Sequence, residues 1–334
     1  MGEMITRRTV ALAIAASALT STAARSQSLV TEATVSAGAS TDDVTAVATQ
    51  LRAFGDAPLR IRYFVEAAWA TDRRNASDAF GSAYPYSDRV QAIEAYGEWL
   101  ADTKAVVAAR VGRYRVPFGI SSASDHAYNG FLRAPLIRYD GYFALSNNFL
   151  EHGAHVLVGA PRLTVEASLG IPADVGSSVR RPGLDTVIRL QGAVSDAIVG
   201  VSHMRTQPYQ PTRYATGNTV FTGVDVRWMR EGVQLRGEWI GGQPFAGTTT
   251  TGWYADALVH RPRMGPVTAI ARLEQLHYDT VPQHALHSKR QTVGAHVRIF
   301  RGASAQLNVI HHTGLLHQPR RTMVDAGVSY SVRR

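Results

Sequence analysis

From Val30 onward the chain alternates apolar and polar residues in segments of roughly ten, and no stretch carries the 3.6-residue period of an amphipathic helix. Val224, Val226 and Trp228 alternate with Asp225 and Arg227. Val233, Leu235, Gly237 and Trp239 alternate with Gln234, Arg236 and Glu238, and Val293, Ala295, Val297 and Ile299 with Gly294, His296 and Arg298. Successive side chains of a strand point to opposite faces, so each segment has one apolar and one charged face. Very short turns fall at Gly55-Asp56, Asp102-Thr103, Ala160-Pro161, Ser195-Asp196, Arg230–Gly232, Arg261–Gly265 and Arg301-Gly302. Between them lie longer connections at about 70–88, 116–149, 171–183, 205–218, 242–250, 277–287 and 313–319. With a first hairpin near Ser40–Asp42, the rhythm predicts an all-β chain of about 16 antiparallel strands, with tight turns at one end and loops at the other.

The composition of the two faces distinguishes a closed transmembrane β-barrel from a soluble sandwich. A shared core calls for large side chains, yet the apolar face is often small, as at Ala269, Ala271 and Ala295. The tryptophans Trp69, Trp99, Trp228, Trp239 and Trp253 sit near strand ends, which suits two membrane-interface belts and also suits ordinary core packing. The polar face carries Arg60, Arg62, Glu66, Glu94, Glu98, Asp185, Arg189, Asp225, Arg227, Arg236, Glu238, Asp256, Arg272, Glu274, Arg298 and Asp325. Those charges fit the outside of a sandwich or a water-filled lumen. Only closure gives so many strands no exposed edge, and a barrel of that size leaves an aqueous channel.

The amino-terminal residues are expected to be a cleaved signal rather than part of the fold. Arg7 and Arg8 precede the small apolar run Val10–Leu19, and small residues follow at Ser21–Ala24. Cleavage after Ala24 or after Ser26 fits, which divides the chain into a signal, 1–26, and a barrel, 27–334. Thr6-Arg7-Arg8 also resembles a twin-arginine signal, but a barrel must cross the inner membrane unfolded, which favours the ordinary route. No other segment approaches the roughly 18 apolar residues of a transmembrane helix. The absence of Cys excludes a lipid-modified cysteine and a disulfide framework.

The net charge of +9 falls by two when residues 1–26 are removed, and the remaining bases are spread singly among apolar residues, the pattern of solvated faces rather than of a nucleic-acid surface. No Gly-x-Ser-x-Gly elbow, His-Glu-x-x-His helix or phosphate-cradling loop is present, so neither an enzyme nor a cofactor is expected. His311-His312 with His317, or His284 with His287, read as polar surface histidines more readily than as a metal patch.

Two segments carry a family resemblance. Asp325-Ala326-Gly327-Val328-Ser329-Tyr330-Ser331-Val332 resembles the terminal-strand signature recognised by the barrel-assembly machinery, although the chain continues to Arg333-Arg334 where such proteins usually stop at an aromatic residue. Val111–Gly119, reading Val-Gly-Arg-Tyr-Arg-Val-Pro-Phe-Gly, resembles a segment of the bacterial outer-membrane porins, notably the phosphate-selective group. That family has it at the outer end of the fifth strand. Pro117 removes a ladder donor there and Gly119 frees the chain to turn.

The resemblance implies a cell outer-membrane location, contact with outer-membrane lipid, a homotrimer, and a channel for small hydrophilic solutes or ions. It also implies that the apolar third loop, about 121–148, folds into the lumen, where Asp125, Arg133, Arg138 and Asp140 would form the constriction, with Arg113 and Arg115 beside it. Strand alternation puts Arg113 and Arg115 on the face opposite Arg110 and Tyr114, so both pairs cannot point inward. The loop has another reading, as a cap or a subunit contact. A barrel that does not conduct, serving structure or adhesion, and a secreted soluble β-protein are the alternatives to a pore.

Overall fold

The computed structural model describes residues 28–41, 44–71, 90–102, 106–120, 131–138, 150–172, 184–206, 219–243, 249–280, 284–315 and 318–334. The strands are β1 Ser28–Ser40, β2 Val44–Ala57, β3 Ile61–Ala70, β4 Gln91–Asp102, β5 Val106–Arg115, β6 Leu150–Ala160, β7 Leu163–Pro172 and β8 Asp185–Val194. They continue with β9 Ala197–Thr206, β10 Thr219–Arg230, β11 Val233–Gln243, β12 Thr249–Val259, β13 Val267–Thr280, β14 His284–Phe300, β15 Ala303–Leu315 and β16 Gln318–Arg333. Each pairs antiparallel with its sequence neighbours. Pairing of β1 with β16, from Glu32 opposite Arg333 to Ser40 opposite Asp325, closes the ring. The wall is taller on one side: β13, β14 and β16 run 14, 17 and 16 residues and β2 runs 14, whereas β5 to β9 run 10 or 11.

The turn between β2 and β3 departs from its expected position. Gly55 and Asp56 lie inside β2, opposite Tyr63 and Arg62. The chain reverses instead at Pro58–Arg60, where Leu59 and Arg60 take φ of 66° and 62°. Proline fixes its own φ and cannot donate to a ladder, so it ends the strand. Arg60, expected on an inward strand face, is therefore an exposed turn residue whose Nη1 donates to the Ala101 carbonyl at 2.5 Å.

Burial along the strands is inverted relative to a soluble sheet. In β8, Asp185 and Arg189 are buried while Ile188 and Leu190, on the opposite face, are about half exposed (54% and 48%). The pattern recurs in β10, with Asp225 buried and Val224 and Val226 exposed, and in β13, with Arg272 and Glu274 buried and Leu273 exposed. The apolar face thus looks outward all round and the charged face looks into the ring. By the same alternation all five tryptophans face outward, at two levels. Trp99 and Trp228 stand near the short turns, and Trp69, Trp239 and Trp253 toward the longer connections.

An outward apolar band predicts a depth-dependent cost for charge. Leu190→Arg, in the middle of β8, should destabilise the folded barrel by about 2–4 kcal/mol in lipid vesicles, measured by reversible denaturant unfolding, while Glu231→Arg in a short turn should change stability by far less.

Candidate functional site

The interior is built from the inward side chains together with two stretches of the β5–β6 connection, residues 116–120 and 131–138. β5 reaches this point through Gly112, whose φ of +135° lets it lie against the backbone of Ala95 and Tyr96, where a Cβ would collide. Val116 and Phe118, with Leu136 and Ile137, join Val187, Met204, Phe221, Ile240, Tyr254 and Leu276 of β8–β13 in one buried apolar cluster. Inward glycines make room: a Cβ on Gly223 would crowd the Phe118 ring, one on Gly252 would press on Ile137, and one on Gly327 on Leu132. Gly119, at φ +59°, packs so closely on the Glu238 carboxylate that a Cβ would overlap it.

Polar contacts fix the same stretches from several strands. The Gly119 amide donates to Ser202 Oγ at 3.1 Å, and its carbonyl accepts from Arg189 Nη1. Arg133 makes a bidentate pair with Asp325 of β16 (2.6 and 2.9 Å) and donates to Ser40 Oγ of β1 at 3.0 Å. Its carbonyl accepts from Arg272 Nη1 at 3.0 Å. The Leu136 amide donates to Glu274 at 2.8 Å, the Ala134 carbonyl accepts from Arg290, and the Phe131 ring lies 3.9 Å from the Arg272 guanidinium.

The inward charges neutralise one another in cross-strand clusters. Asp256 is shared by Arg236 (2.8 Å) and Arg272 (2.5 Å), Glu274 pairs with Arg290 (2.5 Å), and Arg189 with Asp225 (2.8 Å). On the other side of the ring Glu66 is shared by Arg52 (3.0 Å) and Arg115 (3.2 Å), Arg115 also reaches Glu94 (3.2 Å), and Arg110 pairs with Glu98 (2.9 Å). Where such groups are nearly fully buried, as Asp256, Arg272 and Arg290 are, an unpaired charge would cost several kcal/mol, which favours these pairings.

The expected site residues other than Arg60 fall into four groups. Glu94, Glu98, Arg115, Arg133, Arg189, Asp225, Arg236, Arg272 and Glu274 join the inward clusters just described, with Glu238 against Gly119 and Arg227 donating to Gln191 at 2.8 Å. Arg115 reaches inward although alternation opposed it, because it is the last residue of β5 and its backbone also donates to Glu94. Arg113 stays on the other face, with Nε on the Ile93 carbonyl at 2.9 Å and Nη1 3.4 Å from exposed His152. Arg62 and Arg298 point inward by alternation but are exposed beside short turns, Arg62 within 3.4 Å of Asp56. Asp125, Asp140 and the Arg138 side chain lie outside the described residues. Arg52 and Arg290 were missed, and Arg110, left open as the alternative to Arg113 and Arg115, is inward. Continuing the alternation of β14 back from Val293 would have placed Arg290 inward.

Among the described residues, space remains beside the 131–138 stretch. A cavity of about 470 Å³ runs along β1, β2 and β13–β16. It is lined by Glu32, Thr34, Gln50, Arg52, His296 and Gln306, among small serines, alanines and glycines, with Phe131 and Leu132 on its inner side. Among the described residues no three His, Cys, Asp or Glu converge to hold a metal ion. His311 and His312 face opposite ways, toward Thr322 and toward Ser288.

Solved structures share this architecture over 91% of the chain. OmpF of Salmonella typhi superposes with TM-score 0.66 at 11% identity, covering 91% of this chain and 97% of its own. This is the fold of the outer-membrane porins. OmpT of Vibrio cholerae in its trimer form (0.62, 8% identity, 91% and 98% covered) and OprB of Pseudomonas putida (0.63, 8%, 91% and 93%) share that porin fold. No family model and no curated protein matches by sequence. Its two arginine partners make Asp256 a sensitive position. Asp256→Asn leaves Arg236 and Arg272 facing each other without their common carboxylate and should cost about 3–5 kcal/mol, read as a lower denaturant midpoint and earlier loss of heat-modifiable gel migration.

Proposed function

We propose that this chain is an outer-membrane porin through which small hydrophilic solutes and ions diffuse passively, with no chemical step. The observation that carries the reading is the divided interior. One sector holds the two stretches of the β5–β6 connection and the other retains a polar, small-residue lane. The whole connection, 116–149, is read as the inward loop that narrows the pore, with Arg133 as its anchor. The permeant path follows Glu32, Thr34, Gln50, Arg52, His296 and Gln306. Pore width and lining charge then set what passes.

Selectivity is read as mild. Most inward arginines are compensated by carboxylates, so little uncompensated field remains along the path, and a slight anion preference is the most that the arginine excess supports. The likeness to the phosphate-selective group rests on the nine residues Val111–Gly119 and extends to no dense basic ladder, since Lys104 and Lys289 are the only lysines. The proposal includes export under the signal at 1–26, insertion by the barrel-assembly machinery through β16, and a homotrimer like the trimer form of the Vibrio cholerae OmpT.

Conductance in planar bilayers tests it. The mature protein should give discrete open steps, and Thr34→Trp or Gln306→Trp, filling the lane, should lower their size by half or more. Met204→Trp, in the packed sector, should leave the step size nearly unchanged where the barrel still folds. A reversal potential with clear cation preference refutes the anion claim. The dense packing of buried charge favours one second reading, a plugged barrel of structural role, for which no steps would appear.

A further inference from the structure

Outside the lumen, His277 of β13 and His287 of β14 stand directly opposite each other in register. Both face outward, by the alternation that turns Leu276 and Ser288 inward. Their height follows from the residues below them. Going toward the longer connections, the outward positions of β13 read Ala271, Leu273, Gln275, His277, Asp279, and those of β14 read Val293, Gln291, Lys289, His287. Apolar side chains stop at Leu273 and Val293, and Trp253 neighbours Gln275 one step below the histidines. The pair thus sits above the apolar band, where water and ions reach it.

The two rings are oriented rather than merely adjacent. Their Nδ1 atoms are 2.9 Å apart, with centroids 3.9 Å apart. Asp279 Oδ1 lies 3.0 Å from Nε2 of His277, and Thr249 Oγ1 donates to Asp279 Oδ2 at 3.3 Å. A carboxylate on Nε2 holds the proton there, which leaves the Nδ1 lone pair of His277 aimed at His287. Metal–imidazole bonds of about 2.0–2.1 Å place two adjacent ligand nitrogens about 2.9–3.4 Å apart, which spans the separation seen here, and chelation requires both rings to turn so that their lone pairs converge on one point beside the N–N line.

We propose that His277 and His287 chelate one divalent transition-metal ion, with Asp279 as the positioning residue behind His277 and water completing the coordination. Two neutral imidazoles select copper, nickel or zinc over magnesium or calcium, with copper bound most tightly. The site lies on the outer wall and is independent of the channel reading: a barrel that conducts nothing would still bind the ion.

Titration calorimetry of the untagged, detergent-solubilised barrel with Cu²⁺, Ni²⁺ and Zn²⁺ tests it. One saturable site is expected, lost in His277→Ala and in His287→Ala and unaffected in His311→Ala. Asp279→Asn should weaken it by about tenfold. Electron paramagnetic resonance of the Cu²⁺ form should show two imidazole nitrogens. Heat-modifiable migration checks that each variant is folded. The absence of saturable binding by the parent protein, or binding unchanged in the folded His277→Ala/His287→Ala variant, overturns the assignment.

Discussion

Everything in this structure depends on the pairing of β1 with β16. In hydrocarbon no water meets an unpaired N–H or C=O, so a sheet can face lipid only if it has no edge. The register from Glu32–Arg333 to Ser40–Asp325 supplies the missing ladder. Closure converts the two faces of a sheet into an outside and an inside. The period-two alternation then sends Ile188 and Leu190 out and Asp185 and Arg189 in without further instruction.

Once charged side chains are enclosed, their mutual compensation shapes the interior. Cross-strand clusters such as Arg236–Asp256–Arg272 tie neighbouring staves together. Their spare donors hold the chain that follows β5: Arg272 also bonds the Arg133 carbonyl, and Arg290 that of Ala134. Arg133 reaches in turn to Asp325. The same ion pairs therefore brace the wall and place the internal stretches. The charges so engaged leave little uncompensated field in the interior.

The asymmetry of the ring gives this arrangement its functional meaning. Where β8–β13 present Met204, Phe221, Ile240 and Leu276 beside glycine sockets, the internal stretches pack in. Where β14–β16, β1 and β2 present Thr34, Ser304, Gln306, Ser329 and Ser331, short side chains leave a cavity. The taller staves of β13–β16 and β2 border that open sector.

Alternation along each strand, the turn rhythm and the placement of tryptophans are local properties, and the sequence by itself determined from them the strand number, the closure and the side on which Asp225, Arg236 or Glu274 lies. Local signals fell short where the backbone leaves its regular period: Pro58 moved the β2–β3 turn beyond Gly55-Asp56 and took Arg60 off the wall, and the end of β5 brought Arg115 inward together with Arg110, which alternation treats as alternatives. Only the tertiary structure decided which carboxylate an arginine such as Arg272 meets, which strands the internal stretches pack on, and that His277 stands against His287. Those outcomes depend on register between strands and on contacts such as Arg133 with Asp325, 192 residues apart. A period of two records which face a side chain takes but carries no information about what stands opposite it across a closed ring.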